Sequence, residues 1–196
     1  MLRAKKRALA QRDLVRAPSD RPQLIPTHMR GPATAPVTLE EYGDFECPSC
    51  ATVSNVVHAT ADKYRDKLRV IFWQFPLAMH PHAREAAVAA EAASRQGRFW
   101  EMHDRLYAGQ QTWSSAPTAR AVFEHYAEEL HLDVAQFRKD LDNPEVASQI
   151  DAEQGQGEAR GVKATPTLFI NGEELPPPFN PERVNKAIAT AVDKNS

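Results

Sequence analysis

The run Cys47-Pro48-Ser49-Cys50 holds both cysteines of the 196-residue chain. Two cysteines cannot build a disulfide scaffold, so the pair is redox-active, metal-bound or incidental. Its surroundings narrow the choice. Val37 to Tyr42 reads as a strand that stops at Gly43-Asp44, and a helical pattern opens near Ala51. A Cys-x-x-Cys at a strand-to-helix junction sets the first sulfur before the unsatisfied N–H groups and positive dipole end of the helix. A thiolate at Cys47 is stabilised there, and Cys50, one turn on, is placed to form or resolve a disulfide with it. A structural zinc site needs four ligands, and the pair supplies two. His80 and His82 follow a strand further on, with no second cysteine pair to complete such a site. Redox chemistry is therefore preferred over zinc and over an inert disulfide.

The rest of the chain reads as a small α/β fold interrupted by helices. Val53, Val56, Val57, Ala61 and Tyr64 fall at helical spacing. Arg69 to Phe75 is a nearly continuous β-branched and aromatic run, as in a strand covered on both faces, and Pro76 ends it. Strand, helix, strand implies a right-handed crossover and a parallel pair. No strand signal follows until Thr165. Helices are predicted instead at Ala83 to Ser94, through Phe99 to Leu106, and from Ala119 to Leu130. Two more follow, one capped by Asp133 and one opened by Asn143-Pro144. Gly109 to Pro117 reads as a polar break. Gly155-x-Gly157 ends a helix instead of following a strand, so it is no nucleotide loop. Thr165 to Ile170, Asn171-Gly172 and Glu173 to Leu175 form a hairpin signal, and Asn180-Pro181 opens a last helix. A short edge strand is expected within Leu24 to Met29. His80 and His82 read as helix-start residues, and His103 as a satisfied core histidine.

Several function classes drop out. A formal net charge of −2 gives no basic excess for a nucleic-acid face. No window reaches the ~18 uninterrupted apolar residues of a membrane span. Residues 1 to 16 carry six Lys or Arg against Asp13, with no apolar segment of the kind a secretory signal needs. The sequence as it stands therefore reads as cytoplasmic, or as extracytoplasmic if an upstream segment is missing.

Five segments together carry a family resemblance. They are Arg30-Gly31-Pro32 to Leu39, Tyr42-Gly43-Asp44-Phe45-Glu46-Cys47-Pro48-Ser49-Cys50, His80-Pro81-His82-Ala83, Phe99-Trp100-Glu101-Met102-His103, and Val162-Lys163-Ala164-Thr165-Pro166-Thr167. With them, over about residues 28 to 192, the chain resembles a DsbA-like thiol–disulfide oxidoreductase of the thioredoxin superfamily. The resemblance implies a thioredoxin fold with a helical insertion. Its parts would be a basic then proline-rich leader (1–27), a thioredoxin-fold domain (28–76 and 161–194) and an inserted helical subdomain (77–160). It implies Cys47 as the nucleophile, Cys50 as the buried resolving thiol and Glu41 as a buried acid that passes a proton to or from Cys50. Pro48, Ser49, Thr165 and a cis Pro166 would form the substrate-binding surface. Partners would be protein thiols and disulfides and an unidentified redox recycling partner, with no cofactor and no metal. The alternatives are a peptide-binding or chaperone module with non-essential cysteines, or a reductase linked to a low-molecular-weight thiol. The Pro-Ser dipeptide brings no cation, so a milder oxidant than the most oxidising members is expected. Pro176-Pro177-Pro178-Phe179 departs from the family's glycine- and tyrosine-containing approach to the last helix.

Overall fold

The computed structural model describes residues 24–194. The basic segment of the leader lies outside them. Five strands among the described residues form one mixed sheet in the order β1-β3-β2-β4-β5. The strands are β1 (Met29–Arg30), β2 (Val37–Gly43), β3 (Leu68–Gln74), β4 (Thr167–Ile170) and β5 (Glu173–Leu175). β2 and β3 pair in parallel, Leu39 opposite Val70 and Glu41 opposite Phe72, as the strand–helix–strand order requires. The connecting helix α1 (Pro48–Lys63) is the crossover. The other pairings are antiparallel.

The period-two alternation of the strands sorts side chains onto two faces. Val37 and Leu39 of β2, Leu68 and Val70 of β3 and Leu168 of β4 pack on α1 and on α8 (Pro181–Lys194), through Val53, Val57, Val184 and Ile188. Glu41 follows Leu39 on this face, which puts a carboxyl among apolar residues. Tyr42, Ile71, Trp73 and Phe169 form the opposite face. Gly157 of helix α7 (Pro144–Ala159) lies so close to this face that a Cβ there would come within 2.8 Å of the Tyr42 ring. That close approach explains a glycine inside a helix, where it otherwise costs about 1 kcal/mol.

Six helices separate β3 from β4. Besides α7 they are α2 (Ala83–Ser94), α3 (Phe99–Ala108), α4 (Gln110–Trp113), α5 (Arg120–Glu129) and α6 (Val134–Leu141). The alanine-rich α2 buries Ala86, Ala89, Ala90 and Ala93 against Met102, Leu106, Phe123 and Phe137. Small side chains let these helices approach closely. The expected caps are present, with Asp133 accepting from Gln136 N–H and Asn143 from Glu145 N–H. At the hairpin, Asn171 (φ 49°) and Gly172 (φ 84°) both take positive φ, which a two-residue type I′ turn demands.

Three local expectations change. The edge strand is only Met29–Arg30, and Leu24 to His28 is not strand. His28 is instead buried, its Nε2 2.7 Å from Glu91 Oε1, so a polar anchor holds this segment where a ladder was expected. Gly109 to Pro117 contains α4, whose Trp113 is fully buried and donates to Leu106 O at 2.8 Å. A four-residue helix is too short to show a period. The first helix opens at Pro48 instead of near Ala51, because Pro suits the first helical position.

Candidate active site

Cys47 is the N-cap residue of α1, with extended backbone (φ −73°, ψ 120°). Its carbonyl accepts from Cys50 N–H at 3.1 Å and Ala51 N–H at 3.2 Å. Both thiols are free and buried, Cys47 at 7% exposure and Cys50 at 0%. Thr165-Pro166, a cis peptide, lies against the first sulfur, with Cys47 Sγ 3.5 Å from Thr165 O. The Thr165 hydroxyl is buried without a hydrogen-bond partner.

These surroundings split the two thiols. The Cys50 thiol is the largest influence holding the Cys47 thiol down, from 9.0 to about 5. Burial opposes it, and the Thr165 hydroxyl and the Cys50 and Ser49 N–H groups assist. A neutral Cys47 donates to Thr165 O, whereas its thiolate accepts from the orphaned Thr165 hydroxyl. Cys50 is pushed the other way, well above the ordinary thiol range, by burial, by its bond to Cys47 and by the nearby Glu41 charge. Glu41, 2% exposed on β2, is raised from 4.5 to about 8 by burial and then by the Cys47 charge. At neutral pH the arrangement is thus a thiolate at Cys47, a thiol at Cys50 and a protonated carboxyl at Glu41.

Sequence reasoning missed what holds this loop. Asp44, 1% exposed, accepts from Glu46 N–H at 2.8 Å, Leu77 N–H at 2.9 Å and the His80 ring at 2.7 Å, while its own carbonyl accepts from Cys47 N–H at 3.1 Å. Glu46 accepts from His82 N–H at 2.6 Å. His80 is therefore more than a helix-start residue. Burial alone would lower its pKa, but the Asp44 bond and charge, then the Cys47 and Glu46 charges, raise it above the ordinary value. The ring thus lies within range of the Cys47 charge, on a residue outside the Pro-Ser dipeptide. The signal was slight: an Asp at a strand end normally reads as a turn residue.

Gln110 of α4 was also missed. Its amide donates to Phe45 O at 2.7 Å and Cys47 O at 3.0 Å, which fastens the helical block to the cysteine loop. Gln110→Ala takes the side-chain donor from the Phe45 carbonyl, while the Cys47 carbonyl keeps Cys50 N–H and Ala51 N–H. Chemical denaturation is expected to show a loss of about 1–3 kcal/mol, and an unchanged midpoint would exclude the clamp.

Among the described residues, two groups of ligand atoms lie close enough to hold a metal, His58–His103–Asp104 and His28–Glu91–Glu153, and neither includes a cysteine. In the second, Glu91 and Glu153 already accept from Gln149, and Gln74 also bonds Glu91. His103, expected as a satisfied core histidine, is buried, but its Nε2 has no partner.

A paired-cysteine loop on β2–α1, faced by a cis proline across a five-stranded mixed sheet, is a thioredoxin fold, and the helices inserted after β3 make it DsbA-like. A thioredoxin family model matches residues 23–190, and the chain belongs to that family. Solved structures with the same fold include oxidised BdbD from Bacillus subtilis, with TM-score 0.75 and 22% identity over 84% of this chain and 92% of that one. Wolbachia pipientis alpha-DsbA1 gives 0.78 and 18%, over 89% and 94%. Among curated proteins, a Na(+)/H(+) antiporter NhaA 3 of Salinispora tropica is 41% identical over 165 residues, 84% of this chain and 24% of its own. An NhaA 1 of Salinispora arenicola is 39% identical, with the same coverage. The chain thus spans about a quarter of the length of these relatives.

Proposed function

We propose that the chain is a thiol–disulfide oxidoreductase that exchanges a Cys47–Cys50 disulfide with protein dithiols through a mixed disulfide at Cys47. The observation that carries this is a first thiol at the N-cap of α1 against the cis Thr165-Pro166 peptide, beside a fully buried second thiol, an arrangement that holds one down to about 5 and pushes the other up. An inert disulfide has no use for that asymmetry. A nucleophile and a resolving thiol need it, because the thiolate attacks while the partner stays protonated until its turn. Pro48, Ser49, Thr165 and Pro166 surround Cys47 and form the surface a substrate backbone meets. Glu41 passes a proton to or from Cys50. Protein thiols are the substrates, and a further redox protein returns the pair to its starting state. No helix among the described residues is long and apolar enough to cross a membrane. The cytoplasmic placement read from the leader is checked by fractionating the protein in its host.

The experiment is a thiolate titration by ultraviolet absorbance with a redox equilibration against glutathione. The thiolate midpoint is expected at about 5. That value lies between the ~7 of thioredoxin and the ~3.5 of DsbA. The potential should accordingly fall between about −270 and about −120 mV. A midpoint near the ordinary 9.0, or no exchange with a dithiol peptide, would sink the reading.

A further inference from the structure

Two buried polar atoms below the cysteines lack a hydrogen-bond partner, Glu41 Oε1 and His103 Nε2. Both residues are 2% exposed, and such groups are costly to leave unpaired. They line the same cavity of about 10 Å³, together with Arg30, Ser54, His58 and Trp100. That volume matches one water molecule, which needs two to four polar partners. His103 Nδ1 sits 2.8 Å from Asp104 Oδ1, which in turn sits 3.1 Å from His58 Nε2. The Asp104 and His58 side chains are 41% and 32% exposed. His103, Asp104 and His58 thus form a bonded row from this cavity to solvent.

We propose that one water in this cavity and His103 connect Glu41 to solvent at Asp104, so that His103 governs how fast Glu41 sheds its proton and can take that of Cys50. The inference rests on the thiol–disulfide reading above. His103 acts through Glu41 and is a positioning residue, not a catalytic one. Burial holds its pKa down to about 4 against the pull of Asp104, so the ring is neutral at working pH. Burial works against ionised Asp104 too, yet hydrogen bonds from His103 and His58 hold its carboxyl far below the usual range. The carboxylate then accepts a hydrogen bond from Nδ1–H, which leaves the Nε2 lone pair to accept from the cavity water. A metal is disfavoured at this corner, because the Arg30 guanidinium lies 3.0 Å from His58 Nε2 and 3.2 Å from Asp104 Oδ2.

The chemistry balances without another reactant. A substrate thiolate attacks Cys47 Sγ, the Cys47–Cys50 bond breaks, and Cys50 leaves as a thiolate that takes the Glu41 proton. The substrate's second thiol gives its proton to solvent and attacks its own sulfur in the mixed disulfide, freeing Cys47 as a thiolate. One protein disulfide is reduced and one substrate dithiol oxidised. On return to the disulfide Glu41 first sheds its proton through the water to His103 Nε2, as Nδ1–H passes to Asp104 and on to solvent, and then takes the proton of Cys50.

The test is single-turnover oxidation of the reduced full chain by oxidised glutathione as a function of pH, with the solvent deuterium effect. The charged or titratable groups facing the relay are Arg30 from β1, Glu41 from β2, Cys50 and His58 from α1, and Asp104 and Tyr107 from α3. His103→Gln should slow the step about tenfold and flatten its pH profile, while the Cys47 thiolate midpoint stays put. In a Glu41→Gln background the same change should add nothing. Asp104→Asn, half-exposed and so tolerant of folding, should slow the step in the same direction and carries the test if His103→Gln does not fold. Independent, multiplying losses in the double variant, or unchanged rates in His103→Gln and Asp104→Asn, would overturn the relay alone. Absence of exchange in the unaltered protein would overturn the relay and the oxidoreductase reading together.

Discussion

Cys47→Ser is expected to abolish dithiol oxidation and insulin reduction, and Cys50→Ala to stall the reaction at a mixed disulfide visible on a non-reducing gel. A serine hydroxyl at this position stays protonated at neutral pH, whereas the Cys47 thiol, held down to about 5, is almost wholly thiolate. Loss of the only ionised nucleophile should lower turnover about a thousandfold or more. The second variant acts differently. Cys50 is the largest influence lowering the Cys47 pKa, so Cys50→Ala should move the thiolate midpoint up from about 5. Attack then slows somewhat but still occurs, and no buried thiol remains to release the substrate. Full biological activity in Cys47→Ser would replace the oxidoreductase with a peptide-binding module, since the cis Thr165-Pro166 surface survives that substitution.

Much of this site was legible because its parts sit in strong local signals. Cys47 and Cys50 mark a strand-to-helix junction, Glu41 alternates with Val37 and Leu39, and Asn171-Gly172 announces the hairpin that positions β4 behind Pro166. Each of those signals spans a few neighbouring residues. The supports of the site do not. Asp44 gathers Leu77 and His80 from more than 30 positions away, and Gln110 reaches Phe45 and Cys47 across 63 to 65. A single polar residue carries no periodicity, so only the folded chain shows where its bonds go. His103 misled for a related reason: its apolar helical stripe correctly placed it in the core, but a stripe does not say whether both ring nitrogens find partners.

Glu41→Gln should make the oxidised protein more stable while it slows exchange. A buried carboxyl with no partner for Oε1 is held protonated up to about 8, against a usual value of 4.5. The unfolded chain ionises at the lower value, so the raised folded value stabilises nothing extra below pH 4.5 and becomes a cost as pH rises. From 4.5 to about 8 the unfolded state gains relative to the folded one, by about 1.4 kcal/mol per pH unit at most. Above 8 both states are ionised and the cost levels off. Gln cannot ionise, so the stability difference between variant and wild type should be near zero at pH 4.5 and open steadily to about 4 kcal/mol at pH 8. Burial is the largest cause and persists in the disulfide form, whereas the Cys47 charge, the second cause, is absent there. The gap should therefore be wider in the reduced protein. Urea melts of both redox forms across that pH range check the slope. A gap that does not change with pH would mean that Glu41 is ionised in the folded protein, and proton transfer to Cys50 would then need another donor.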